Sequence, residues 1–509
     1  MKKLLAVLLG FALLFACVPA AALAAESGGC DCGKAPIVHV YGLGNTIYQG
    51  DTVVFPPSTE TIMNAVKLAL PITPALLLGK LKDAQQERFL DTAKAIFNPI
   101  AFDENGDPVN GVAARFTYPT SEDHKNGSLI GFDYDWRVDP FVSAAQLHDF
   151  IDYVKEMTGH DSVYLVGESM GTVIMDTYLA EYGFEGVEGV IWYNGAYNGV
   201  ASCSDSFANK NSFEAEALAR FLKQVGMNQG NQFLFDLFTA LEDSGLLGEV
   251  FDSVLQTADD LNESGRFSRF LHECLGTMPG FWALVSAENF DAAVEFAYST
   301  PELKAQYAGV IEKITRYHNE VGARVDEIME EARAATGKVG IVAGYGSVMP
   351  PVTADNLQQS DGVIGTAAES NGAICAPWGG SFAEDYVQAV QCGHDHISAD
   401  REIDASTGFW PENTWYVKYG GHSFNGGGYS RALIHKIFFE PGFDVHSDPA
   451  FPQFLLLDGD TNTVSPLTAE NCADRVGAAT FTAKLLGVFF KITARFLALC
   501  KTVNGWFVK

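Results

Sequence analysis

One serine in this chain stands where a hydroxyl can act as a nucleophile. Ser169 lies in Gly167-Glu168-Ser169-Met170-Gly171, directly after the apolar, β-branched run from Ser162 to Val166 and directly before the helix-like run from Thr172 to Leu179. Strand, G-x-S-x-G turn and helix in that order describe a nucleophile elbow, a turn that strains the backbone at the serine and lifts its hydroxyl above the sheet edge. Glycines flank it because a larger side chain would meet the neighbouring strand or helix. A serine hydroxyl is a poor nucleophile at neutral pH. It needs an imidazole to take its proton and a carboxylate to orient that imidazole.

In such a site the partners follow in the order serine, acid, histidine, each in a loop beyond the C-terminal end of a strand. Two acidic turns compete, Ser360-Asp361-Gly362-Val363 and Leu457-Asp458-Gly459-Asp460. Histidine placement decides between them, because the last histidine is His446 and nothing downstream of Asp460 can serve as base. Asp361 follows an apolar run at 338–346, and His422 follows another at 414–419 through Gly420-Gly421. The expected triad is Ser169, Asp361 and His422. His394 and His396 are rivals for the base, but no strand leads into Cys392-Gly393-His394-Asp395-His396. They could also bind a metal, although a lone His-x-His is more often a solvated loop. His39, inside an apolar run, reads as a core histidine. The oxyanion hole needs two backbone N–H groups. Met170, next after the nucleophile, supplies one, and Leu43 of Tyr41-Gly42-Leu43-Gly44 the other, with Gly44 an adjacent alternative.

These loops need strands and helices to carry them. Apolar runs at 35–41, 128–134, 162–166, 187–193, 338–346 and 414–419 read as strands, with helical patterns at 141–157, 172–179 and 429–439 between or after them. Alternation of this kind predicts an α/β class with a mostly parallel sheet and flanking helices. From about 201 to 336 the alternation stops and helical periodicity takes over, at 213–225, 232–247 and 301–336. A helical insertion near the active face is placed to cap an acyl pocket.

Composition sets the compartment. Met1-Lys2-Lys3, an apolar stretch from Leu4 to Phe15 and Ala22-Leu23-Ala24 describe a signal peptide over residues 1–24, with lipidation at Cys17 a minor alternative. The expected catalytic domain runs over 25–445 and a C-terminal extension over 446–509. Export permits disulfides among Cys30, Cys32, Cys203, Cys274, Cys375, Cys392, Cys472 and Cys500. Cys203 with Cys274 and Cys375 with Cys392 each bracket an insertion; free buried thiols are the alternative. A formal charge of −30 repels nucleic acid. The C-terminal end opposes that trend: Lys484, Lys491 and Arg495 share one helical face, opposite Phe481, Leu485, Leu486, Phe489, Ile492 and Phe496. A basic amphipathic helix there suits contact with an anionic membrane or envelope polymer, or packing on the protein's own body.

Several segments together resemble the lecithin:cholesterol acyltransferase and lysosomal phospholipase A group of α/β-hydrolases. They are Pro36 to Asn45, Tyr134-Asp135-Trp136-Arg137, the elbow, Met278-Pro279-Gly280-Phe281-Trp282 and Ser360-Asp361-Gly362-Val363. The resemblance spans about 35–439. It implies an α/β-hydrolase fold and acyl transfer on lipid esters, phospholipid or acylglycerol, through a Ser169 acyl-enzyme relieved by water or an alcohol. Under it, Tyr134, Trp136 and Arg137 shape the acyl or head-group side of the site, although a packed Trp and a fold-bracing Arg are what those residue types more often are. No metal or organic cofactor enters that mechanism. An acyltransferase with the same triad, an inactive surface-binding protein and an exported peptidase are the alternatives. The segment between Asp361 and His422 is longer than the family pattern leads one to expect.

Overall fold

The computed structural model describes residues 33–473, apart from residues 70, 72–81, 120–126, 213, 229–230, 247, 249–262 and 425–427, together with scattered positions from 483 to 494. The expected signal peptide lies outside the described residues, as does most of the C-terminal amphipathic segment. Of that segment's basic face, Lys484 and Lys491 are helical and exposed.

In chain order the strands are β1 (Ile37–Val40), β2 (Ile47–Gln49), β3 (Thr52–Phe55), β4 (Val112–Ala114), β5 (Leu129–Phe132), β6 (Val163–Glu168), β7 (Val187–Tyr193), β8 (Val339–Tyr345), β9 (Ile374–Cys375), β10 (Ile403–Asp404), β11 (Thr414–Lys418), β12 (Phe454–Asp458) and β13 (Thr463–Pro466). Eight of them form the central sheet, in the order β13-β12-β11-β8-β7-β6-β1-β5. Every neighbouring pair is parallel except β12 with β13. The chain is a mixed α/β protein on a mostly parallel sheet flanked by helices.

Parallel strands of this kind are covered on both faces, which is why they read as apolar runs. In β6, Val163 and Leu165 point into one core with Val38, Trp192 and Ile341, and Tyr164 and Val166 point into the other with Tyr193, Trp415 and Val417. The first core is closed by the helices Pro140–Thr158, Met170–Tyr182 and Val325–Thr336, the second by Gly428–Phe439. Helix Pro140–Thr158 starts where Asp139 accepts the Phe141 N–H at 3.1 Å and stops at Gly159, whose φ of 69° no side chain adopts easily.

Between β7 and β8 every described element is helical. The run expected over 301–336 is broken into Pro301–Gln306, Ala308–Glu320 and Val325–Thr336. The last of these lies against β7 and β8, so it is the crossover into β8 rather than part of a cap. A second helical excursion, Thr59–Ala69 and Asp83–Phe97, was not apparent from periodicity. It is tied to the helix Arg266–Glu273 by Arg266 and Arg269, both bonded to Glu87. The sheet also does not end at residue 445, because β12 and β13 lie beyond that boundary and extend it. Asp458, the rival acid, is the last residue of β12 and turns the chain into β13, accepting the Asp460 N–H at 2.9 Å.

The expected disulfides are not formed: Cys203, Cys274, Cys375 and Cys392 are free thiols. Cys203 faces the Phe281 carbonyl, while Cys274 donates to Asn98 Oδ1 at 2.8 Å, so the two sulfurs turn to different neighbours.

The elbow helix comes so close to β1 that a Cβ on Gly171 would stand 2.0 Å from the Val40 carbonyl oxygen. Backbone on both sides leaves nothing to give way. Gly171→Ala is expected to lower unfolding stability by at least about 3 kcal/mol, the upper range for overpacking. Urea unfolding of the two proteins checks this, and an unchanged midpoint would mean that the helix does not sit against β1 as described.

Candidate active site

Ser169 follows β6, and its backbone is strained, with φ 51° and ψ −126°. That region is disfavoured for a residue with a side chain and costs about 1–3 kcal/mol. The surroundings enforce it. Ser169 N–H donates to the Tyr193 carbonyl of β7 at 3.1 Å, and the Ser169 carbonyl accepts from the Ala196 N–H and the Thr172 hydroxyl. Gly167 and Gly171 are the positions where a side chain would strike backbone, at 2.8 Å from Thr172 Cα and 2.0 Å from Val40 O. The glycines of the motif are therefore explained by contact.

Asp361 and His422 meet Ser169 from neighbouring strands. β6, β7, β8 and β11 are consecutive in the sheet, so loops after β6, β8 and β11 gather at one edge. His422 Nε2 lies 2.8 Å from Ser169 Oγ, and His422 Nδ1 lies 2.5 Å from Asp361 Oδ2. Because Asp361 can only accept, Nδ1 carries the proton and Nε2 is free to accept from the serine. Asp361 is buried, and its other oxygen accepts the Val363 and Ile364 N–H groups at 2.8 Å each. Burial by itself would raise the Asp361 carboxyl, but the charge and hydrogen bond of His422 outweigh it and hold the carboxyl below the usual carboxylate range. Burial likewise works to lower His422, and the charge and hydrogen bond of Asp361, with Glu168 adding to them, raise it above the ordinary imidazole value.

Three residues at this site carried no signal in the sequence pattern. Glu369 is fully buried and accepts the Gly344 N–H at 2.7 Å. Its carboxyl also hydrogen-bonds Asp361, and burial together with the Asp361 charge pushes it well above the carboxylate range, so Glu369 holds the proton and donates. Asn194, just past β7 at φ 45°, donates from Nδ2 to the Gly421 and His422 carbonyls at 2.8 and 3.0 Å. Glu168, inside the elbow motif, accepts the Phe424 N–H at 2.9 Å and lies 3.1 Å from His39 Nε2. The histidine loop is thus held from both sides. His39 is buried between the Tyr41 and Phe424 rings.

The two residues expected to line the oxyanion hole flank the serine. Met170 is the first residue of the elbow helix, so its N–H has no partner within the helix. Leu43 follows Gly42, which passes so close that a Cβ there would be 2.9 Å from Ser169 Cβ. Tyr134, Trp136 and Arg137, expected on the substrate side, are all buried, at 1%, 1% and 0% exposure. Arg137 forks onto Asp135, Nε to Oδ1 at 2.9 Å and Nη2 to Oδ2 at 2.7 Å, and donates to the Ile100 and Val112 carbonyls at 3.0 Å. Trp136 donates to the Asn45 carbonyl. The Arg137 and Trp136 side chains bond the Ile100, Val112 and Asn45 carbonyls, the contacts of a fold-bracing Arg and a packed Trp. The Tyr134 ring stacks on Phe132 inside the first core.

No family model matches the chain, and no curated protein matches it in sequence. A hydroxyl, an imidazole in the accepting tautomer and an ionised, buried carboxylate stand in one hydrogen-bonded line, which is the arrangement that turns a serine into a nucleophile.

His422 must be neutral to accept the Ser169 proton, so reaction of Ser169 with a fluorophosphonate should fade as pH falls through a value above the ordinary imidazole pKa of 6.5. Glu369→Ala leaves more of the Asp361 charge to His422 and should move that limb to higher pH, whereas Glu369→Gln, which keeps a neutral donor, should leave it in place. Identical profiles in all three proteins would show that Glu369 does not share the Asp361 charge. Arg137→Met strands a buried carboxylate and should cost about 3–5 kcal/mol of stability in urea unfolding. Parent-like stability with slower labelling would return Arg137 to the substrate side.

Proposed function

We propose that this chain is an exported serine hydrolase of the α/β-hydrolase fold that cleaves carboxylic esters of lipids, phospholipid or acylglycerol, through an acyl-enzyme on Ser169. The observation that carries the reading is the line Ser169 Oγ, His422 Nε2, His422 Nδ1, Asp361 Oδ2, with contacts of 2.8 and 2.5 Å. The elbow strain, the helical insertion between β7 and β8, and the resemblance of the Pro36–Asn45, Tyr134–Arg137 and Ser360–Val363 segments to the acyltransferase and phospholipase group support it.

In this reading Ser169 Oγ attacks the ester carbonyl as His422 Nε2 takes its proton. The tetrahedral oxyanion is stabilised by the Met170 and Leu43 N–H groups. His422, held as imidazolium by Asp361, gives the proton to the departing alcohol and the acyl group remains on Ser169. Water, deprotonated by the same nitrogen, then attacks the acyl carbonyl and restores the serine. An alcohol in place of that water would make the same triad an acyltransferase.

Hydrolysis of p-nitrophenyl esters of increasing chain length and of phosphatidylcholine vesicles tests this. Turnover should rise with chain length, and Ser169→Ala and His422→Ala should each remove roughly a million-fold in kcat, as for other serine triads. Equal activity in all three proteins, or none from a well-folded parent, would sink the reading.

A further inference from the structure

At the opposite end of β11 from His422, two chain segments bring three imidazoles to one carboxylate. Glu412 stands two residues before β11, and β11 spans about 17 Å at 3.3 Å per residue, so this cluster is remote from the triad. His394 Nδ1 lies 2.9 Å from Glu412 Oε1, His396 Nε2 3.5 Å from the same oxygen, and His446 Nε2 2.5 Å from Oε2. Two donor sets share Glu412: Cys392 with His396, and His394 with His446, the ligating atoms of each set lying within 4.8 Å of one another. The loop expected to be a solvated His-x-His is so only for His394. The His396 side chain is wholly buried.

The proton positions at His396 follow from its neighbour. Gln453 Nε2 donates to the Pro411 and Thr414 carbonyls at 2.5 and 3.4 Å, so its Oε1 is the atom facing His396 Nδ1 at 2.7 Å. Nδ1 must carry the hydrogen. Nε2 of the neutral ring is then a bare lone pair in a dry place, has no hydrogen-bond partner, and points toward a carboxylate oxygen that is also an acceptor. A positive charge must lie between them. If a proton on Nε2 supplied it, His396 would be a wholly buried imidazolium beside the His394 and His446 rings, whose centroids lie 6.2 and 6.3 Å from its own. One shared cation meets the same need with all three rings neutral. Imidazole, carboxylate and thiol donors together are the set preferred by zinc, and a ring nitrogen fixed through its other N–H by an amide oxygen is how ligating histidines are oriented.

We propose that Glu412, His394, His396 and His446 form a transition-metal site that takes Zn²⁺, with Cys392 beside it and Gln453 orienting His396. The ion pins the 392–396 loop and the 444–447 turn to the start of β11. Its role is structural, because the cluster lies at the far end of the strand from the reacting serine.

The test uses the purified chain stripped with EDTA, then titrated with Zn²⁺ against a chromophoric chelator and with Co²⁺ by visible absorption. The expected result is one Zn²⁺ per chain, a cobalt spectrum of tetrahedral intensity, and a thermal midpoint that rises with Zn²⁺. His394 and His446 are exposed, so the double variant His394→Gln, His446→Gln should stay folded and bind Zn²⁺ more than about 10-fold more weakly, the lower range for disturbing even an outer partner of a zinc ligand. His396→Gln should do the same. Equal affinity in the parent and the double variant, or a cobalt spectrum that stays that of the free hydrated ion, would overturn the proposal.

Discussion

The site rests on how closely one helix can approach the sheet. The Met170–Tyr182 helix begins in the turn that exposes Ser169, and its first turn lies against β1 and β6 at distances that admit no side chain at Gly167 or Gly171. This contact aims the helix N-terminus and forces Ser169 into its strained conformation. The same approach brings Gly42 over the serine, so the first loop and the elbow are shaped together. A methyl group at any of these positions would move the parts that have to meet. Strain of about 1–3 kcal/mol at one residue is sustained because bonds from Tyr193, Ala196 and Thr172 hold both sides of it.

A second constraint is charge. Asp361 is a buried anion, and a buried anion is tolerable only if its lone pairs are filled. Two backbone N–H groups, one imidazole N–H and the Glu369 carboxyl fill them. Gly362, at φ 105°, lets the chain turn back so that Val363 and Ile364 can both donate to the same oxygen. Glu369 serves because it is kept neutral: an ionised carboxylate there would repel Asp361, whereas a protonated one donates to it.

The parts that could be read from residues alone were those governed by local rules. Strand, turn and helix around Ser169 are set by apolar periodicity and glycine placement, and the acid and base followed from chain order and from where histidines stop. β12 escaped notice because its apolar run, Phe454 to Leu457, is only four residues long before Asp458, and it counts as a strand through its pairing with β11 and β13. Arg137 and Trp136 were given a substrate role by resemblance, yet their partners Asp135, Ile100, Val112 and Asn45 are partly distant in the chain, and burial cannot be seen in a tetrapeptide. Glu369 and Asn194 were invisible for the same reason. Each matters through a contact across the sheet edge, and nothing in its neighbours marks it.

A long connection between acid and base would be expected to loosen them, and the structure shows why it need not. The chain from Asp361 to His422 folds back on both strands that carry those residues. Gln359, two residues before the acid, accepts the Gly346 N–H just past β8 at 3.1 Å and donates to Glu402 at 3.0 Å. Glu402 accepts from Lys418, the last residue of β11, at 2.7 Å, and Asp400 accepts from the same ammonium at 3.0 Å. Lys418 is buried, and although burial opposes its charge, the bonds and charges of Glu402 and Asp400 more than compensate and raise its pKa. A charged group so enclosed stays only while every partner is in place, which makes the network sensitive to displacement of any member. Gln359, Glu402 and Lys418 therefore link the turn that carries Asp361 to the strand that carries His422, through residues supplied by the connection itself. The inserted chain holds the two catalytic candidates in register, so its length adds a brace where a shorter loop would have relied on the strands alone.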